Sequence, residues 1–218
     1  MQTIKIFLFL ALLPIWGFSQ STWMGVETSV GRTRVPTQST ISVISNKAYH
    51  LTNTYAFVVQ RRLGNWVILG GGIGLTHSIN RVKLEFPPFG NVPAVTSRFR
   101  SNTYFIDLRL QSLFLLWQGR SQGYLRAEGF GGPFMLGMTS LKQWTLDGHL
   151  FDEDRVSTVG NGDLYQYGFR LGLGTRCPIG GRWLIAPEIV LDRPFFHPGV
   201  VGAYDWRWGL QIGVFRKI

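Results

Sequence analysis

Eight times between Trp23 and Ile218, apolar and polar side chains alternate with a period of two. Successive side chains on a strand point to opposite faces, so this period marks a β-strand whose two sides meet different surroundings. The stretches are 23–35, 55–63, 66–76, 102–116, 123–138, 164–176, 182–192 and 204–218. After residue 20, no segment reaches the eighteen consecutive apolar residues that suggest a spanning helix. If the chain crosses a membrane, it does so with strands.

The fourth stretch shows the code most clearly. Tyr104, Ile106, Leu108 and Leu110 face one way, and Asp107, Arg109 and Gln111 the other. In the first, Met24, Val26, Thr28 and Val30 oppose Glu27; in the second, Tyr55, Phe57, Val59 and Leu63 alternate with Ala56 and Gln60. Val67, Leu69, Ile73 and Leu75 oppose Gly70, Gly72 and Gly74 in the third. In the fifth, Leu125 and Ala127 oppose Arg126 and Glu128, and Gly131-Gly132-Pro133 then suggests a bulge or bend. Tyr165, Tyr167, Phe169, Leu171 and Leu173 oppose Gln166 and Arg170 in the sixth; Trp183, Ile185 and Ile189 oppose Glu188 in the seventh. Pro187 weakens the seventh, because proline cannot donate to a ladder. In the last, Trp206, Trp208, Leu210, Ile212 and Val214 oppose Asp205, Arg207 and Gln211.

The connections alternate as well. Three are short, about two to seven residues, around Asn65, Gly119 and Gly180; the others, 36–54, 79–101, 139–163 and 193–203, are long. A soluble sandwich has no reason to put every long loop at one end. Short periplasmic turns and long extracellular loops are the habit of outer-membrane barrels. Ten residues at about 3.4 Å rise and 40° tilt cover roughly 26 Å, close to the apolar band of such barrels. Every backbone group must be paired in hydrocarbon, so eight strands there must close. The expected fold is all-β: an eight-stranded antiparallel up-and-down transmembrane β-barrel, with both chain ends on the periplasmic side.

Composition agrees. Charged residues make up only 16%, against about 25% in ordinary globular domains, while aromatics reach 14% and glycines number 27. Residues 1–19 read as a signal peptide: Lys5, an apolar run over 6–18 too short to span, and small Gly17 and Ser19 before Gln20. The barrel is then 20–218, bound for the outer membrane. Cys177 is the single cysteine, so no intrachain disulfide forms, and no cysteine follows the leader to carry a lipid anchor. The formal net charge of +10 raises the question of nucleic acid, but the basic residues are scattered and form no run. Outer-membrane lipid and anionic lipopolysaccharide are the expected electrostatic partners, and nucleic acid is not.

If the apolar faces meet lipid, the opposite faces line a narrow lumen. They carry Glu27, Asp107, Glu128, Glu188 and Asp205 against Arg109, Arg126, Arg170 and Arg207. An eight-stranded interior can be filled by side chains, so these nine are expected to plug it as a structural network of ion pairs. The search for catalytic or metal chemistry is largely negative. His50, His77, His149 and His197 fall in the expected loops or at a strand end, without metal-ligand spacing. Asp147, Asp152, Glu153 and Asp154 near His149 lack a calcium-loop order and read as a solvated loop. His77-Ser78 would point to opposite faces of a strand and so make no dyad. Gly70-Gly71-Gly72-Ile73-Gly74 precedes no helix and lacks the lysine of a phosphate loop. No cofactor is expected.

The leader ending Ser19-Gln20, the strand Tyr104-Phe105-Ile106-Asp107-Leu108-Arg109-Leu110 and the glycine-rich Phe169-Arg170-Leu171-Gly172-Leu173-Gly174 carry a resemblance. So do Ala186-Pro187-Glu188-Ile189 and Leu210-Gln211-Ile212-Gly213-Val214-Phe215. With these, the chain resembles the PorT-like outer-membrane β-barrel proteins of Bacteroidota. It departs in ending Phe215-Arg216-Lys217-Ile218, where an aromatic terminus is usual. The resemblance implies assembly by the barrel-assembly machinery and permits a secretion-system or envelope component. Two function classes follow. One is a structural or interaction barrel with a protein partner at its outer loops, where Phe86, Phe89, Phe195 and Phe196 stand among prolines. The other is a porin-like small-solute channel or transporter, with an outer-membrane lipid hydrolase as a lesser variant.

Overall fold

The computed structural model describes residues 21–34, 45–86, 95–145, 149–159, 165–196 and 206–218. They form nine strands: β1 (Thr22–Arg34), β2 (Ser45–Leu63), β3 (Val67–Phe86), β4 (Val95–Gln118), β5 (Gln122–Thr145), β6 (Leu150–Val159), β7 (Tyr165–Ile179), β8 (Trp183–Phe196) and β9 (Arg207–Lys217). Among the described residues there is no helix. Every pairing is antiparallel. Running β4-β3-β2-β1-β9-β8-β7-β5, with β4 paired back to β5, eight strands close into an up-and-down barrel. β6 lies outside the ring, on the far half of β5. Its other edge, unpaired among the described residues, belongs to a strand carrying Asp152, Glu153, Asp154 and Arg155, and charge of that kind discourages edge-to-edge pairing.

Two of the three short turns rest on glycine with positive φ: Gly64 between β2 and β3 (66°) and Gly180 between β7 and β8 (68°). A side chain there would be strained, so glycine makes these tight reversals cheap. The start of β1 and the end of β9 lie at the same end as the turns, with Trp23 opposite Lys217 and Thr22 opposite Arg61.

Burial is inverted relative to a water-soluble protein. Leu210 and Trp208 are each 63% exposed and Ile189 61%, whereas Asp107 is 0%, Glu27 1% and Arg126 3% exposed. The outward band on β4 runs Ile106, Leu108, Leu110, Phe114 and Leu116, close to the height of a bilayer's hydrocarbon at about 26 Å. Exposed Trp66, Trp117 and Trp183 edge the band at the turn end. At the other end Phe169 meets Trp206 edge-on at 5.3 Å, and Tyr167 stacks on Phe195 at 5.6 Å. Such aromatic girdles suit a boundary between apolar and wet surroundings.

Four sequence expectations change. The strands run far past their expected ends at the long-loop side: β2 begins at Ser45, β3 reaches Phe86, β4 begins at Val95 and β8 reaches Phe196. Residues 45–54, 79–86, 95–101 and 193–196 of the expected loops are therefore ladder, and Phe195 stands on β8. The apolar alternation stops at the edge of the band, but backbone hydrogen bonding continues whatever the side chains are. Within 139–163, β5 continues and β6 folds back on it. His50 and His77 sit within β2 and β3. Finally, the bulge in β5 falls at Met135, two residues beyond Pro133: Phe105 faces Phe134, but Tyr104 faces Leu136. Pro187 lies inside β8, and the β7–β8 ladder skips from Gly174↔Glu188 to Cys177↔Ile185 around it. The missing N–H thus costs one gap on one side of the strand.

Candidate functional site

Inward-facing side chains fill the barrel in three tiers. The tier nearest the turns is largely apolar, with Gln60, Arg61 and Arg176 buried beside it. Ala56, Val58, Leu184, Ala186 and Phe215 pack together with Trp23 against them; Ile68, Leu113, Leu115 and Tyr124 form a second cluster.

The middle tier is ionic and centres on Arg126 of β5. Its guanidinium grips Glu27 of β1 with two bonds, Nη1 to Oε2 at 2.9 Å and Nη2 to Oε1 at 2.7 Å. Nη1 also donates to Glu128 at 2.8 Å and to Gln111, while Nη2 lies 3.0 Å from Glu188 of β8. Glu128 receives Arg109 at 3.2 Å and has Arg170 of β7 at 3.7 Å. Arg170 in turn holds Asp192 through two bonds, at 2.6 and 3.0 Å, and reaches Gln211 of β9 at 2.7 Å. Tyr124 donates its phenol hydrogen to Glu188 at 2.9 Å. Asp107 accepts from Thr76 of β3 and lies 3.6 Å from Arg109; Thr54 of β2 meets Thr76 at 3.4 Å. Every strand of the ring thus sends at least one side chain into this tier. Room for it comes partly from glycine, since a Cβ on Gly172 would collide with the Glu188 carboxylate and one on Gly74 would stand 2.8 Å from Arg109 Nε.

The third tier, toward the long connections, is polar. Arg207 donates to Thr52 at 2.6 Å and approaches His50 Nε2 at 3.2 Å; Ser78 Oγ lies 2.6 Å from the same nitrogen. His77, one residue from Ser78, points outward and stacks on Tyr104 at 4.4 Å. The His–Ser contact therefore runs across the β2–β3 ladder, between residues that share the inner face. Its third neighbour is an arginine, and a nucleophile–base pair needs a group that orients the base's other nitrogen. Ser78 and His50 are 2% and 4% exposed, which leaves a substrate no approach to the hydroxyl.

Of the nine residues singled out from sequence, Glu27, Asp107, Arg109, Arg126, Glu128, Arg170 and Glu188 stand within this one network. Arg207 sits in the tier above, and Asp205 lies outside the described residues. Asp192 and Tyr124 were missed. Asp192 has the parity of Glu188, four residues earlier on β8, which was a usable signal. Tyr124 likewise has the parity of Arg126 and Glu128 on β5. Arg61 and Arg176, buried toward the turn end, were also missed; Arg176 reaches Gln60 at 3.0 Å and covers the Trp23 ring. Around His149, β6 separates the acids by alternation: Glu153 is held by Lys142 at 2.9 Å and Arg155 at 2.6 Å, while Asp152 and Asp154 face the other way. Among the described residues no three His, Cys, Asp or Glu are placed to hold a metal ion.

Buried ion pairs of this kind add little net stability over an apolar filling, but one partner removed leaves an uncompensated charge.

No protein-family model matches the chain, and no curated protein sequence matches it. Among solved structures it is similar to the N-terminal β-barrel domain of OprF from Pseudomonas aeruginosa, at 12% identity over 92% of this chain and 100% of that one, TM-score 0.35. It is similar to Neisserial surface protein A at 10% identity, 92% and 100% coverage and TM-score 0.43. The outer membrane protein OprG of Pseudomonas aeruginosa matches at 11% identity, 92% and 96% coverage and TM-score 0.40. Likenesses this distant carry no assignment of function.

Proposed function

We propose that the chain is an integral outer-membrane β-barrel, exported by its first 19 residues, with a structural or interaction role exercised at the end that carries the long strand extensions. The observation that supports this is the closed ring whose outer face is apolar and whose inner face is charged. Such a wall would be insoluble in water as a monomer and suits hydrocarbon, where closure satisfies every backbone group in the ring. Insertion would use the barrel-assembly machinery, with outer-membrane lipid around the band. The PorT-like resemblance favours an envelope or secretion-system component of Bacteroidota, with a protein partner outside.

Conduction is the competing reading. The three tiers oppose it, because a solute would have to displace paired charges and then an apolar plug. Tags within 87–94 and 197–205 should be cleaved by protease added to intact cells, while tags at Asn65, Gly119 or Gly180 should be shielded. Planar-bilayer recordings of the purified protein should be nearly silent. The reverse accessibility would invert the orientation, and large sustained openings would replace the interaction reading with a channel.

A further inference from the structure

Above the apolar band, β3, β4, β5 and β6 continue as a four-strand wall, and its outward face is basic. Strand register sets two rows across it. The first holds Arg81, Arg100, Ser140 and Arg155; the second holds Lys83, Arg98, Lys142 and Glu153. Arg81, Arg98, Arg100 and Arg155 are exposed. Lys83 pairs with Glu85, while Lys142 and Arg155 share Glu153. Arg81 and Arg100 face each other directly and meet no carboxylate among the described residues; Arg98 lies over the Trp144 ring at 4.7 Å.

Like charges directly opposite on neighbouring strands repel and destabilise the pair. Here three such pairs adjoin, Arg81/Arg100, Lys83/Arg98 and Arg98/Lys142, and only two carboxylates, Glu85 and Glu153, offset six cations. Excess positive charge of this kind favours an anionic ligand. Its depth is set by the ladder: Arg100 stands four residues beyond Tyr104, about 10 Å along the axis. The polar layer of a bilayer extends roughly 5–8 Å past the hydrocarbon, so the first row lies just above it and the second about 5 Å farther out. Directly below them the same face gains apolar groups: Ile79 and Met138 flank Asn102, and the His77–Tyr104 stack follows. Four strands at about 4.8 Å spacing make the basic face some 14 Å wide, more than one phosphate needs.

We infer that this face holds the headgroup of an outer-leaflet glycolipid bearing phosphate on a saccharide, whose acyl chains lie on the band beneath. Phosphate suits paired guanidinium groups because it offers several acceptor oxygens to their fork of donors. A soluble polyanion would gain nothing from the apolar rows below, whereas an amphiphile uses both. The inference rests on the proposed outer-membrane orientation, which puts this end outside.

The test uses the full mature chain refolded into neutral phosphatidylcholine vesicles doped with phosphorylated lipid A or with the same lipid dephosphorylated. Native mass spectrometry then reads the lipid that stays bound. The parent should retain the phosphorylated form at least about tenfold better, with the preference falling as salt rises. Arg81→Gln with Arg100→Gln, and separately Lys83→Gln with Arg98→Gln, should each lower that preference by about tenfold or more while heat-modifiable migration still reports a folded barrel. Arg182→Gln, at the turn end, should leave it unchanged. Equal retention of both lipids by the parent, or full preference in both double variants, overturns the inference. So does equally tight binding of the soluble phosphorylated disaccharide, which would assign the face to a soluble partner. Failure of the parent to enter vesicles at all is a different result, since it removes the membrane reading itself and the inference with it.

Discussion

Along β4 two sets of neighbours share one backbone and obey opposite rules. Ile106, Leu108 and Leu110 face outward, with Leu108 54% exposed; Asp107, Arg109 and Gln111 face inward, none of them more than 4% exposed. In a soluble β-protein the first set would be core and the second surface. The difference teaches that burial alone does not identify the solvent. What separates the faces is whether each polar group finds a partner: inside, the ionic side chains meet partners from strand after strand around the ring, and outside there are almost none to satisfy.

The comparison breaks most severely at the centre of the inner face. Arg126→Met would leave Glu27, Glu188 and part of Glu128 without their shared cation, and an uncompensated buried charge costs about 3–5 kcal/mol. Denaturant unfolding in lipid vesicles should show a loss of that size, and adding Glu27→Gln should recover part of it by removing one stranded charge. A loss no larger than that of a surface substitution would mean the tier does not hold the strands together.

Next comes the outward face of the same wall. Leu108→Arg puts a cation where hydrocarbon is expected, at a cost of about 2–4 kcal/mol near the midplane. Asp107→Asn, one residue away, keeps an acceptor for Thr76 and places no charge in lipid, so its effect should be smaller, about 1 kcal/mol. If Asp107→Asn proved the worse of the two, the faces would be reversed and a soluble sandwich would become the better description.

The smallest effect is expected beyond the band. Hydrogen bonds from Lys142, then from Arg155, hold the Glu153 carboxyl below its ordinary value of 4.5. A carboxyl depressed in the folded state contributes stability above its unfolded pKa and loses it as pH falls through the folded value. Amide exchange in β6 should therefore be slower in the parent than in Glu153→Gln at about pH 7, and the two should converge once the pH falls below the folded carboxyl's value. Because the group is exposed, the change should stay within the β5–β6 hairpin and leave the ring untouched. Spread of the effect into β7 or β8 would show that the extension and the barrel are one cooperative unit.

Sequence alone determined the local part of this architecture. Side-chain direction on a strand has period two, so Asp107 and Leu108, or Glu188 and Ile189, were assigned to opposite faces without knowledge of any neighbour. Glycine at Gly64 and Gly180 marked tight reversals for the same local reason, a positive φ. Tertiary structure decided what depends on a partner strand. The one-residue bulge at Met135 is where β5 changes parity: Arg126 and Glu128 point inward as even-numbered residues, yet Lys142 and Trp144, also even, point outward. Gly131-Gly132-Pro133 signalled a bulge nearby but not its place at Met135, because a bulge is defined only by two residues opposing one across a ladder. Nor does the sequence pattern reveal that His50 meets Ser78, or that the strands run on past the apolar band as a polar wall. Those facts belong to register, and register is a property of pairs of strands rather than of one.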